Sequence, residues 1–258
     1  MLKFFRSIRK KLIEEDNVRK YILYAIGEIL LVVIGILIAL QVNNWNEDRK
    51  LSEERVQLIQ SIESDFETNR DMLTQTVDFY DEMNQALIRF QRLSDSDNLQ
   101  LQKDSLLYYA GFAFEHMEIE PAMSAYHTAV SSGKLDMLNN KELVELFTEF
   151  LAKFANFKLH MDISGNIVYS GSIWDVRREL GTIHQICCTL ETQREYYIPD
   201  RYKLTEDEMI DLLVSQDVYA ALENMHWVQR NKLKSLLEMQ SITNQVLREI
   251  KTMQLDQG

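Results

Sequence analysis

The chain has 258 residues and a net charge of −12, which is unevenly distributed along it. Residues 1–20 carry seven basic side chains against three acidic ones, a net charge of +4, so the rest of the chain sums to −16. That acidic remainder argues against nucleic acid as a partner, because nucleic-acid-binding proteins present basic faces. The two cysteines, Cys187 and Cys188, are adjacent and cannot form a disulfide framework.

The first 42 residues predict a single membrane anchor. Residues 1–20 form a short, basic amphipathic segment, and residues 21–42 are apolar except for Glu28 and Gln41. About 20 apolar residues suffice to cross a bilayer, and Lys and Arg collect on its cytoplasmic side. No small-x-small cleavage site follows the span, which favours an uncleaved signal anchor over a signal peptide. We therefore expect an inner-membrane, single-pass protein with residues 43–258 forming a periplasmic domain.

The residues around the span predict how it meets the membrane surface and continues. Tyr21 and Trp45 are placed at the two interfaces, where aromatic side chains favour the headgroup region. No proline or glycine follows until Gly111, and apolar residues recur at steps of three, four and seven. The membrane helix is therefore expected to continue as one long helix that ends near Ser94.

The middle of the chain predicts two shorter helices. Asp104 or Ser105 can cap a helix that is apolar on nearly all faces. Pro121 interrupts the pattern, and a short helix over residues 122–132 is expected to stop at Gly133. Asn139 or Asn140 can then cap a longer, phenylalanine-rich helix.

The C-terminal half completes the prediction of an all-α fold. Two glycines in residues 164–172 are expected to weaken or kink the phenylalanine-rich helix, and helical pattern resumes through residues 173–197. The last long helix is expected to begin near Asp217. Its heptad seam reads Leu222, Met225, Gln229, Lys232, Leu236, Met239, Thr243, Val246, Ile250 and Met253. Three of these ten positions are polar, so we expect a helix of an antiparallel, four-helix-like bundle and not an independent coiled coil.

Two sequence blocks resemble a known protein family. The first is the span YAIGEILLVVIGILIALQVNNWNE with the basic start from Phe4 to Leu12, and the second is YHTAVSSGKL, from Tyr126 to Leu135. These blocks are similar to an uncharacterised family of single-pass membrane proteins from Bacteroidetes, a domain of unknown function. The resemblance implies an inner-membrane anchor with an exported helical domain and carries no activity.

Glu28, Gly35 and Ala39 form the sharpest candidate site. Separations of seven and four residues place them on one helix face, and the pair Gly35 and Ala39 allows another helix to approach closely. A carboxylate in an apolar span usually faces protein or water, so a contact between membrane helices is predicted here. The alternative is that Glu28 lies near the inner headgroups and has no function.

For the other motifs, a structural explanation is stronger than a functional one. Ser132, Gly133 and Lys134 belong to an S-x-x-K match that begins at Ser131, but the other elements of serine acyl-enzymes are out of order or absent. A helix stop explains this loop better. Glu115 and His116 could bind a metal, yet no metal-binding spacing accompanies them.

We therefore expect no catalytic, metal or cofactor site. The favoured function is non-enzymatic: a membrane-anchored scaffold in the lipid bilayer that binds its own copy or another membrane protein. The alternative is a periplasmic sensor-like domain for a small molecule or lipid. Its pocket would lie between the apolar helix over residues 106–114 and the phenylalanines between Phe147 and Phe157, which we call the phenylalanine row.

Overall fold

A computed structural model describes residues 18–113, 117–179 and 204–255. The described residues form seven α-helices and no strand, which confirms the all-α prediction. These helices are α1 (Val18–Ser94), α2 (Lys103–Ala113), α3 (Ser124–Ser131), α4 (Lys141–Ser170), α5 (Ser172–Glu179), α6 (Glu206–Leu213) and α7 (Gln216–Leu255). Short 3-10 helices cover Leu99–Gln102 and Leu135–Leu138. The chain divides into two compact units, Met1–Leu58 and Ile59–Gly258.

The first unit contains the N-terminal part of α1. Among the described residues, this is one helix that is long and apolar enough to cross a membrane, with a mean hydropathy of 2.6 in its most apolar window. None of that window is buried within the chain. The prediction that the apolar helix continues without a break to Ser94 is confirmed, because α1 is a single helix of 77 residues.

The second unit is a bundle built on the C-terminal part of α1, α4 and α7. Helices α4 and α7 are antiparallel, since Lys153 pairs with Glu238 whereas Asn140, the residue that caps the start of α4, meets Glu249. Helix α1 is also antiparallel to α7, because Gln91 contacts Glu223 and the earlier Glu63 contacts Gln254.

Aromatic packing joins α1 to α4 in the bundle core. The Phe66 ring lies 5.5 Å from that of Phe147 and 5.3 Å from that of Phe150, and Tyr80 lies 6.0 Å from Phe157. Phe147, Phe150 and Phe157 of the predicted phenylalanine row are therefore part of the buried core. All ten predicted seam positions of α7 are buried as well.

The helix boundaries agree with the sequence in most places. Asn140 caps α4 by accepting a hydrogen bond from the Leu143 N–H at 2.9 Å, as predicted. The break expected near the glycines occurs at Gly171, between α4 and α5. The cap predicted at Asp104 or Ser105 is wrong, because a 3-10 turn runs directly into α2 and places Asp104 inside its first turn.

Parts of the predicted helices fall on residues that the structure does not describe. The basic segment over residues 1–17 lies outside the described residues, and so does most of the helix predicted over residues 173–197. The first part of that helix is α5.

Candidate functional site

The predicted contact residues of the apolar helix, Glu28, Gly35 and Ala39, share one face of α1. Glu28 is half-buried, whereas Gly35 and Ala39 are exposed. A methyl group added at Gly35 would meet no atom of the described residues within 4 Å. This face can therefore accept a close neighbour.

The predicted interface residues occupy different positions on α1. Tyr21 lies in its first turns, and Trp45 is 66% exposed just beyond the apolar stretch. An indole at this position is suited to a membrane–water boundary.

The loop of Ser132, Gly133 and Lys134 closes the C-terminus of α3. Gly133 adopts a φ of +68°, and its N–H donates to the Val130 carbonyl at 3.1 Å. The Lys134 N–H donates to the Ala129 carbonyl at 2.8 Å. This pair of bonds is a Schellman motif, which satisfies the last carbonyls of a helix. The loop therefore has a structural explanation in backbone hydrogen bonding.

A buried polar cluster lies in the bundle where the aromatic core meets α7. Lys232 on α7 is 0% exposed, and its Nζ donates to Ser164 Oγ on α4 at 2.9 Å and to Tyr80 Oη on α1 at 3.1 Å. Each hydroxyl donates its own proton to a carbonyl at 2.8 Å, Tyr80 to Met117 and Ser164 to Met161. We call Lys232, Tyr80 and Ser164 the Lys232 cluster.

Burial sets the protonation behaviour of this cluster. It lowers the pKa of the Lys232 amine from 10.5 to about 7, because a charged amine loses its hydration in the core. Burial also raises the pKa of the Tyr80 hydroxyl, and the nearby charge of Glu118 acts in the same direction. Among the described residues, no carboxylate forms an ion pair with Lys232.

The lysine–serine contact is not arranged for acyl transfer. A serine activated by a neutral lysine must be reachable by a substrate carbonyl. Ser164 is 1% exposed, and its Oγ hydrogen bonds to a carbonyl of its own helix. The arrangement can hold or release a proton in the core, but it presents no nucleophile at the surface.

A segment without helical structure is fixed to α1 beside this cluster. We call residues 117–123 the clamped segment. The buried Asn69 side chain donates to the Ala122 carbonyl at 2.8 Å and accepts from its N–H at 2.7 Å. One turn earlier in α1, Asp65 accepts from the Ala125 N–H at 2.8 Å, at the start of α3. Together with the Tyr80 bond to Met117, these contacts attach the segment to α1 at Met117 and Ala122, and the start of α3 at Ala125.

The Lys232 cluster was not predicted from the sequence. Lys232 and Gln229 were placed in the seam of α7 as positions of a bundle helix, although polar residues in an apolar seam are the signal that could have marked a buried polar site. Tyr80 was assigned to an apolar stripe, and Ser164 to a helix-weakening stretch. Their meeting depends on tertiary packing, because Lys232 lies 152 residues from Tyr80 and 68 from Ser164.

A surface groove lies between α1 and α2. Its volume is about 210 Å³, and it is lined by Glu82, Gln85, Ala86, Arg89, Tyr108, Tyr109 and Phe112. Arg89 donates to the Tyr109 hydroxyl at 3.0 Å. The apolar helix of the alternative function thus borders a groove, but the phenylalanine row does not line it.

Some predicted site residues cannot be placed. Glu115, His116, Cys187 and Cys188 lie outside the described residues. No group of three or more metal-ligating side chains occurs in the part of the chain that the structure describes.

Comparison with known proteins identifies the family. A model of a family of unknown function, DUF6090, matches residues 28–178, more than half of the chain. The chain belongs to this family. The match includes Glu28, Tyr80 and Ser164 but ends before α7 and therefore before Lys232. No curated protein and no solved structure matches the chain.

Proposed function

We propose that this protein is a membrane-anchored scaffold that acts through protein–protein association, first of all with a second copy of itself. The observation that carries the proposal is the N-terminal part of α1, an apolar window of which 0% is buried within the chain. A bilayer is the solvent that suits this surface. The exposed small residues Gly35 and Ala39 then provide a face on which a second helix can pack closely.

The topology follows from charge. The basic residues 1–20 favour a cytoplasmic N-terminus, and residues 43–258 then form a periplasmic domain at the inner membrane. This assignment accords with the resemblance to single-pass membrane proteins of Bacteroidetes.

The proposal is non-enzymatic, and the sensor-like alternative has less support. The phenylalanine row packs against Phe66 and Tyr80, at the place where the alternative would put its ligand pocket. The groove beside α2 has a volume of about 210 Å³. Small-molecule sites commonly occupy about 300–1,000 Å³.

Cysteine cross-linking in native membranes tests the association. Single cysteines would be introduced by Gly35→Cys and Ala39→Cys, with both native cysteines replaced by serine. Val33→Cys and Leu37→Cys are matched controls, because each lies at nearly the same depth on the opposite side of the helix. We expect disulfide-linked dimers from the first pair and few from the second.

The outcome discriminates between partners. Equal cross-linking on both faces would refute the proposed contact surface. Cross-links confined to the Gly35 face but joining a different protein, identified by mass spectrometry, would replace self-association by a heterologous partner. In the dimer, Glu28→Gln should retain cross-linking and Glu28→Leu should reduce it, because only glutamine keeps a polar group that can hydrogen bond across the helices.

A further inference from the structure

The hydrogen bonds of the Lys232 cluster match a neutral amine. A neutral lysine has two N–H donors, and Nζ makes two donor contacts, to Ser164 Oγ and Tyr80 Oη. Neither hydroxyl can return a proton to Nζ while it donates to the Met161 or Met117 carbonyl. A protonated lysine would bring a third N–H and a full charge into this arrangement.

The surroundings of Lys232 offer little compensation for that charge. From α1, Tyr80 faces Nζ with its hydroxyl and with its ring, whose centroid is 4.5 Å away. From α4, His160 lies one turn from Ser164, and its Nδ1 is engaged by the Asn156 carbonyl at 2.8 Å. On the clamped segment, Glu118 is the nearest acidic residue to Met117, and it is exposed. None of these groups forms an ion pair with Lys232.

The clamped segment is held to the bundle by hydrogen bonds from Tyr80 and Asn69 and by the burial of Ile119, Pro121 and Met123. Residues 117–123 form no helix, and within them the Met123 carbonyl accepts a helical hydrogen bond from the His127 N–H of α3; backbone outside helices opens more readily than packed helices. Tyr80 connects the Lys232 cluster to the clamped segment, because its hydroxyl accepts a hydrogen bond from Lys232 and donates one to the Met117 carbonyl. A movement of Tyr80 that lets water reach Nζ would break the bond to Met117.

We propose that the Lys232 cluster is a proton-operated latch. When Lys232 takes up a proton from solvent, the buried charge favours a state in which Tyr80 has moved away and water reaches Nζ, and the clamped segment is released from α1. When the proton returns to solvent, the neutral amine restores both hydroxyl contacts and the segment closes. The latch lies entirely within the second unit and is independent of association through the membrane helix.

Hydrogen exchange of the full chain in lipid nanodiscs tests the latch. The amides of Ala122 and Ala125 report directly, because their protection comes from Asn69 and Asp65 on α1. After correction for the intrinsic pH dependence of exchange, the open state should be about tenfold more populated at pH 6 than at pH 8. This ratio follows from a lysine pKa of about 7 when closed and 10.5 when open.

Two variants on the same helix isolate the lysine. Lys232→Met fixes the site in an uncharged form and should abolish the tenfold difference. Lys234→Met removes an exposed lysine two residues away and should leave that difference unchanged. Tyr80→Phe cuts the link to Met117, so the segment should exchange rapidly at both pH values.

Two results would overturn the proposal. One is a Lys232→Met protein that keeps the pH dependence of the Ala122 and Ala125 amides. The other is a wild-type profile that is flat between pH 6 and pH 9 at these amides. The second result decides the question even when the lysine variant fails to fold.

Discussion

Replacing Lys232 by methionine should stabilise the bundle, although it removes two hydrogen bonds. Methionine has a similar length and suits an apolar core. Moving the pKa of an amine from 10.5 to about 7 corresponds to about 4 to 5 kcal/mol against the charged form, at about 1.36 kcal/mol per pKa unit. The two lost bonds are worth about 1 kcal/mol each. Tyr80 and Ser164 keep their carbonyl acceptors, so neither hydroxyl is left without a partner.

The free energy of unfolding of the wild type should rise with pH because of Lys232. Between about pH 7 and pH 10.5 the unfolded chain holds a proton that folded Lys232 has released, so stability rises with pH and is flat below that window. From pH 6 to pH 9 this residue should add about 2 to 3 kcal/mol to the wild-type free energy of unfolding. Above pH 10, Tyr80 acts in the opposite direction, because its pKa is raised by burial.

Equilibrium unfolding in urea, with the full chain in a mild detergent, measures this effect. At pH 6 we expect Lys232→Met to exceed the wild type by about 2 to 3 kcal/mol, with a smaller difference at pH 9. Lys234→Met should follow the wild type at both pH values. A Lys232→Met variant that is less stable than the wild type at pH 6 would refute the reasoning, because it would mean that the charged amine is compensated in the core.

Three further predictions concern the clamped segment, helix ends and topology. Asn69→Ala should lower the free energy of unfolding by about 2 to 3 kcal/mol in the same assay, because it leaves the Ala122 N–H and carbonyl without their partner; a change below about 0.5 kcal/mol would contradict this. Gly133→Ala should lower the free energy of unfolding by about 1 kcal/mol because Gly133 has a left-handed φ of +68°, although the added methyl meets nothing within 4 Å. Asn139→Gly, at a φ of 48°, should not lower it. Equal effects of the two variants would show that the left-handed conformation is not the cause. A C-terminal alkaline phosphatase fusion should be active in cells, since that enzyme folds only after export, and an inactive but full-length fusion would reverse the predicted orientation.

The sequence predicted the helices well, because their signals are local. The heptad seam of α7 identified ten positions, and all ten are buried. Asn140 predicted the start of α4, because its side chain can accept a hydrogen bond from a backbone N–H in the first turn of a helix. The start of α2 was missed because a 3-10 turn, which has no strong sequence signature, precedes Lys103.

The candidate site, the Lys232 cluster, was not predicted from the sequence. Lys232 was placed in the α7 seam, and this seam position is buried in the structure. The partners of Lys232 could not be inferred, because the pattern around Tyr80 predicts an apolar core position and the pattern around Ser164 predicts a weakened helix. The clamped segment was equally hidden, since Asn69 lies 53 residues from the backbone groups that it binds.

The sequence by itself determined, for the described residues, an all-helical fold with one apolar helix long enough to cross a membrane, the order of the helices and most of their ends. These features depend on periodicity, charge and capping within a few residues, and a single chain displays them directly. Only the tertiary structure decided that Lys232 meets Tyr80 and Ser164 without an acidic partner among the described residues, and that the same tyrosine holds residues 117–123. Those contacts join distant helices, and their energies depend on the water that packing excludes.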